Sequence, residues 1–295
     1  MLHRLLKPWF IRRPRQILLR ALRALRPVPI GFQKVRTAWG ADIIADPSKA
    51  IGHSIWTTGV FDLTVSEVLY RLIRPGDRVV DAGANIGYMT MLAARAAGPQ
   101  GSVVAFEPHP DLFRILQSNA EQAVKQPNAP IKLRNVALGE TAGRATLVIP
   151  EAMSTNDGIA HIGTVANAGE RAIEVELVAL DDELGSGNVG VVKIDVEGFE
   201  AAVLRGARRA LSERRIREIV FEDHEGPKSE TCRLLESFGY EIFSTGWTLR
   251  GPAIQPSSQG RAAAEYEAPS FVATLQPSET LERCRATGFR VLKPF

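Results

Sequence analysis

The stretch Val79-Val80-Asp81-Ala82-Gly83-Ala84-Asn85-Ile86-Gly87-Tyr88 holds the residue types best suited to chemistry. An apolar run leads into it and a helical pattern follows, so its glycine turn joins a strand to a helix. At such a turn, backbone N–H groups and the positive end of the helix dipole face a ligand. A pyrophosphate-binding turn would read GxGxxG. Here the pattern is DxGxNxG, with only Gly83 and Gly87 as glycines and an acid ahead of the first. A carboxylate repels a pyrophosphate and attracts a methionine-type ligand, which carries ammonium and sulfonium groups. Asp81 is therefore expected to orient the turn or draw in the cationic end. Gly83 and Gly87 let the backbone approach closely.

Glu107 lies 26 positions after Asp81, at the end of the next predicted strand. An acid there can accept both hydroxyls of a ribose, as does the acid about 20 residues beyond a dinucleotide fingerprint. Glu107 thus indicates a ribose, and the turn indicates which nucleoside carries it.

The elements that must position these residues follow an alternating βα pattern from about residue 76. Strands are expected at 78–81, 103–106, 131–138, 189–196 and 219–221. Helices are expected at 86–97, from Pro110 through Leu116, at 199–211 and at 231–238. Residues 240–245 and 271–275 read as a closing antiparallel pair, with a surface loop at 251–263. Strands at 145–149 and 173–178 flank the polar stretch 154–169, which reads as an inserted hairpin or flap at about 150–170. Long insertions of this kind usually carry function or are mobile.

The chain has 295 residues, 45% hydrophobic and 23% charged, which suits one large α/β domain or a domain with a short appendage. Cys232 and Cys284 stand far apart and outside any CxxC or Cys/His pattern, so a structural zinc is not expected. They read as reduced thiols of a cytoplasmic protein. Residues 1–41 hold ten Lys/Arg and no acid, so removing ten from the net +3 leaves −7 for the rest. A body of that sign does not track a phosphate backbone, and no nucleic-acid partner is expected. We divide the chain into a basic N-terminal segment, 1–41, and a domain at 42–295. Within the segment, residues 15–26 form an amphipathic wheel, Ile17, Leu18, Ala21, Leu22 and Leu25 opposite Arg15, Arg20, Arg23 and Arg26. Such a helix can lie at the inner surface of an anionic membrane, as a peripheral contact, or pack on the domain's own acidic surface or a second subunit. Arginines interrupt each apolar run, so neither a signal peptide nor a spanning helix is expected.

A third motif adds a resemblance. Val191-Val192-Lys193-Ile194-Asp195-Val196-Glu197-Gly198-Phe199-Glu200, followed by Val203-Leu204-Arg205-Gly206-Ala207, closely resembles the hallmark of FkbM-type methyltransferases. The Asp81–Gly87 turn with Asn85, Phe106-Glu107-Pro108 and Glu222-Asp223-His224 are similar to further motifs of that family. The resemblance covers roughly residues 60–245. It implies a class I methyltransferase (Rossmann-like) fold, a seven-stranded mostly parallel sheet with helices on both faces. It also implies S-adenosyl-L-methionine as donor, and O-methylation of sugars or other hydroxyl-bearing metabolites. Asp81, Gly83, Asn85, Gly87, Glu107, Pro108 and Asp195 are the implied cofactor contacts. The family often has an aromatic-Glu pair ahead of the first strand, and this chain has Phe61-Asp62 instead.

A hydroxyl acceptor needs a base, because its own pKa is far above neutrality. The switch-point rule places Asp195, Glu197, Glu222 and His224 at the strand ends bordering the ligand crevice. His224 or Glu197 is expected to take the acceptor proton, with Asp195 orienting. Lys193, inside an apolar strand, reads as the ion-pair partner of a neighbouring acid. A divalent metal held by strand-end acids such as Asp195 is the runner-up arrangement. Alternatives to O-methylation are transfer to a nitrogen or a protein side chain, or a membrane-associated binding module without turnover. The intact Asp81, Gly83, Gly87 and Glu107 speak against the last.

Overall fold

Val79, Val103, Val191 and Val220 belong to one apolar cluster, and their neighbours Val80, Val104, Val192 and Ile219 to a second. Strands apolar on both sides must be covered on both sides, as in parallel sheets with crossover helices. The computed structural model describes residues 7–13, 27–123, 127–156, 158–163, 169–257 and 269–295. After a helical turn at Pro8–Ile11 come the hairpin β1 (Gln33–Arg36) and β2 (Asp42–Ala45), then α1 (Ala50–Thr58) and α2 (Leu63–Leu72). Next come β3 (Arg78–Ala82), α3 (Tyr88–Ala97), β4 (Ser102–Phe106), α4 (Pro110–Ala123) and β5 (Ile131–Arg134). A second sheet takes β6 (Ala137–Gly139), β7 (Gly143–Ile149), β8 (His161–Gly163) and β9 (Arg171–Ala179). The chain then re-enters the main sheet through α5 (Leu180–Leu184), β10 (Val189–Ile194), α6 (Glu200–Arg205), α7 (Arg208–Ser212) and β11 (Ile216–Glu222). It closes with α8 (Glu230–Ser237), β12 (Glu241–Thr248), β13 (Gly251–Pro256), β14 (Ser270–Thr274) and α9 (Pro277–Arg285).

The main sheet has the order β13-β12-β14-β11-β10-β3-β4-β5. Strands β5, β4, β3, β10 and β11 run parallel, and β14, β12 and β13 are joined antiparallel. Helices α2 and α3 cover one face with Val68, Leu69, Leu72, Met91 and Leu92. Helices α6, α7 and α8 cover the other with Val203, Leu204, Leu211 and Leu235. This is the expected Rossmann-like α/β arrangement, and chain order reverses between β3 and β10, which opens a crevice at their carboxyl ends.

Three local expectations are corrected. The sheet has eight strands rather than seven, because Gly251–Pro256 forms β13 where a loop was expected. Pro252 and Pro256 donate no ladder hydrogen bond, yet β13 is an edge strand, where proline is tolerated. The strand expected at 131–138 breaks after Arg134. Asn135 turns its side-chain amide to the carbonyls of Glu107 (2.7 Å) and Pro108 (3.1 Å), and the chain leaves for the second sheet. The expected hairpin exists as β7 against β9, and β6 and β8 widen it into a four-stranded sheet.

The β1–β2 hairpin straddles residue 41, where the sequence was divided. It is tied to the body by Asn119, fully buried, whose side chain pairs with both N–H (2.6 Å) and C=O (3.0 Å) of Ile44 and donates to Ile86 O (2.7 Å). The amphipathic segment 15–26 lies outside the described residues. Among those described, no helix is long and apolar enough to cross a membrane.

Candidate active site

β3 ends in a turn held by the last residue of β4. Gly83 and Ala84 donate to Phe106 O (3.0 and 2.9 Å), and Gly83 takes φ +76°. A Cβ at Gly83 would sit 1.8 Å from the Asp195 carbonyl oxygen, so the turn and the end of β10 touch backbone to backbone. Asn85 is left-handed (φ +51°), and its side chain accepts from Ile86 N–H at 2.7 Å. The helix therefore starts at Tyr88 rather than at Ile86, with Gly87 (φ +90°) before it. A Cβ on Gly87 would meet Leu116 at 2.6 Å.

Glu107, 5% exposed, accepts from Asn85 N–H on Oε2 (2.7 Å) and from His109 N–H on Oε1 (2.8 Å). Burial pushes its carboxyl up to about 7, with the Asp81 charge adding to the rise; the two N–H donors and Lys193 pull the other way. Each oxygen keeps a further lone pair for a hydroxyl donor.

Register sets the charges of the crevice. Lys193 pairs with Asp81 across β10 and β3. Its ammonium lies 2.9 Å from Gly83 O, 3.2 Å from Asp195 Oδ2 and 3.5 Å from Asp81 Oδ1. Burial disfavours the lysine's charge, but Asp195 and Asp81 more than offset it and raise its pKa. The ion-pair reading of Lys193 is thus the one the geometry supports.

These residues open on a cavity of about 830 Å³. Gly83, Asn85, Glu107, Pro108, Asp195, Glu197 and His224 line it, so most of the residues singled out in the sequence come together. Asp81 and Gly87 are not among the lining residues. Asp81 is 1% exposed and accepts from Thr90 Oγ1 at 2.5 Å, so it acts behind the turn through Lys193. Glu197 is held at φ +53°, in a turn whose Val196 and Gly198 N–H groups donate to Glu200 Oε1 (3.3 and 3.1 Å). Burial and the charges of Asp195 and Glu200 push its carboxyl up to about 7. Glu222 is pushed to about 8 by burial, then by Asp195, Asp62 and Glu197, and stands 3.3 Å from His224 Nε2. Among the described residues, no group of three His, Cys, Asp or Glu side chains is arranged to hold a metal ion.

The model of the methyltransferase FkbM domain matches residues 81–242 of this chain. The chain belongs to the FkbM methyltransferase family. It is 33% identical to 31-O-demethyl-FK506 methyltransferase FkbM of Streptomyces tacrolimicus, over 58% of this chain and 75% of that protein. It is 32% identical to the hexuronic acid methyltransferase AglP of Haloferax volcanii, over 63% of this chain and 73% of that one. The solved FkbM methyltransferase of Methylobacillus flagellatus is 17% identical with a TM-score of 0.43, over 70% of this chain and half of that chain. As a member of that family the protein is an S-adenosylmethionine-dependent methyltransferase, and its own sheet order is that of the class I fold.

The donor set fits that cofactor. A buried carboxylate with spare lone pairs suits ribose hydroxyls, and a crevice rich in carboxylates suits a cationic sulfonium. The cavity volume lies within the range of small-molecule sites, roughly 300–1,000 Å³. Ser54 and Thr58 of α1 and Asn156 of the flap line the cavity without having been singled out in the sequence of this FkbM-family chain, beside Asp62 and the flap's His161. Asp62 had a signal, as the residue standing where the family often has glutamate. The flap residues had none, because no motif surrounds them.

Proposed function

We propose that this methyltransferase moves the methyl group onto a hydroxyl oxygen of a small or carbohydrate-like acceptor. The observation that carries the reading is one cavity shared by Glu107 and the group Asp195, Glu197, Glu222 and His224. The relatives support it, one being named for a 31-O position and the other for a hexuronic acid. When bound, S-adenosylmethionine supplies a sulfonium-activated methyl group, and in-line positioning provides most of the acceleration. Glu107 holds the ribose on the lone pairs that Asn85 and His109 leave open. Asp195, fixed by Lys193, orients the reacting groups. Glu197 takes the acceptor proton: its carboxyl titrates near working pH, as an effective base requires. Flap residue Gly158 lies over it, since a Cβ there would stand 3.9 Å from Glu197 Oε1. His224, with its side chain 62% exposed, is the second candidate for that proton.

Calorimetric titration with S-adenosylmethionine, its demethylated product and NAD tests the cofactor half. Both methionine nucleosides should bind in the micromolar range and NAD should not. Glu107→Gln should weaken binding at least tenfold. Binding of NAD alone would overturn the assignment of Glu107 and the turn.

A further inference from the structure

We propose that the acceptor half of this cavity is built for a polyhydroxylated compound that is neutral or positively charged, and that it turns away acceptors bearing carboxylate or phosphate. The inference rests on the O-methyl reading above and narrows it to a substrate class.

Asp62, Asp195, Glu197 and Glu222 line the cavity; an ionised carboxylate only accepts hydrogen bonds, and Glu197 and Glu222, raised to about 7 and 8, reach that state fully once a donor or cation stands beside them. Among the described residues that line it, Lys193 is the only lysine or arginine. An ammonium has three donors, and Lys193 meets three protein oxygens at 2.9, 3.2 and 3.5 Å. Two of those oxygens belong to carboxylates, which already outweigh its single positive charge, and only 4% of the residue is exposed. Ser54 and Thr58 add little, because their hydroxyls donate to backbone, to Val60 O at 2.8 Å and Ser54 O at 2.8 Å. The charged part of the lining is thus acidic, these four carboxyl groups against Lys193, with Asn85, Asn156, His161 and His224 as further side chains that carry donors. Hydroxyl and ammonium groups bring donors to it, whereas carboxylate and phosphate bring only further acceptors and negative charge.

The same crowding raises Glu197 and Glu222, through burial first and the neighbouring carboxylates next. A bound cation would relieve that repulsion and let both carboxyls release protons. A bound anion would deepen it. One relative is named for a hexuronic acid, so the inference separates this chain from it by acceptor charge.

The test uses the full-length protein saturated with S-adenosylhomocysteine, which lacks the sulfonium charge. Methyl glucoside, methyl glucosaminide and methyl glucuronide, matched in shape, are titrated calorimetrically. The glucoside and glucosaminide should bind, and the glucuronide should bind at least tenfold more weakly. Glucosaminide binding should release protons, read as buffer-dependent heats, and should weaken with added salt. Asp62→Asn, which keeps an oxygen to cap α2, should narrow the gap between glucosaminide and glucuronide. Glucuronide binding as tight as that of the glucoside, or binding of none of the three, would overturn the inference. Mass spectrometry of the product with S-adenosylmethionine tests the O-methyl reading separately: a methyl group on the glucosaminide nitrogen sinks oxygen specificity and leaves the charge preference standing.

Discussion

Lys193 stands beside Asp81 in the ladder and reaches past it to Gly83 and Asp195, so one side chain links the cofactor turn to the acceptor side. Its charge also opposes the rise of Glu107, Glu197 and Glu222. With Glu197 as base and its carboxyl near 7, kcat/KM should climb about tenfold per pH unit below pH 7 and level off above it. Glu197→Gln should cost roughly 10²-fold or more and flatten that limb while S-adenosylmethionine still binds. A variant within threefold of the parent enzyme would move the base to His224. At this scale the sequence was informative wherever residue type alone implied chemistry. Glu107, Asp195, Glu197 and His224 do reach one cavity. The charge of Asp81 is legible in the sequence, but its placement depends on a cross-strand partner, and Lys193 and Thr90 draw it behind the turn. Which strand neighbours which is a long-range fact that local spacing does not encode.

The elements around the site are held by close backbone contacts. Gly83→Ala should be far costlier than Gly76→Ala, although both glycines are left-handed (φ +76° and +89°). Position 76 has open space, so its cost is the conformational strain of about 1–2 kcal/mol. Position 83 adds the clash with Asp195 O, roughly 1–3 kcal/mol more by analogy with overpacking. Urea denaturation of both variants checks the ordering, and equal losses would mean that the turn and β10 separate easily. The βα alternation of the main sheet was readable because apolar runs and glycine stops recur at short range. Strand β13 was not: Gly251, Pro252 and Pro256 carry a loop composition, and only the unpartnered side of an edge strand makes them compatible with a ladder. The second sheet was half legible. Strands β7 and β9 show apolar patterning, whereas β6 and β8 have three residues each, too few to establish a period.

Across the whole molecule, several buried acids leave a signature in stability. Glu107, Glu197 and Glu222 titrate near 7, 7 and 8 in the folded chain, against an ordinary 4.5. Between these values the folded chain binds more protons than the unfolded one, so stability falls as pH rises. Lys193, raised from 10.5, keeps its proton in both states there and adds no slope. Tm without ligand should therefore decline from about pH 5 to pH 8, and Glu222→Gln should remove part of the decline. A Tm rising across that range would contradict the assigned burial. Far from the site, Glu67 and Arg71 of α2 form a buried pair, with Glu67 accepting from Val291 N–H (3.0 Å) and Arg71 donating to Gly288 O (2.8 Å). The final segment is thereby fastened to the helix that Asp62 caps, and Phe295 stacks on Trp39, their ring centroids 6.1 Å apart. Trp39 is buried, and its indole N–H donates to the hydroxyl of Tyr88 at 3.1 Å, a residue of the cavity lining. Trp39, one of four tryptophans in the chain, thus stands one hydrogen bond from the cavity lining, and its share of the emission is expected to change as the cavity fills.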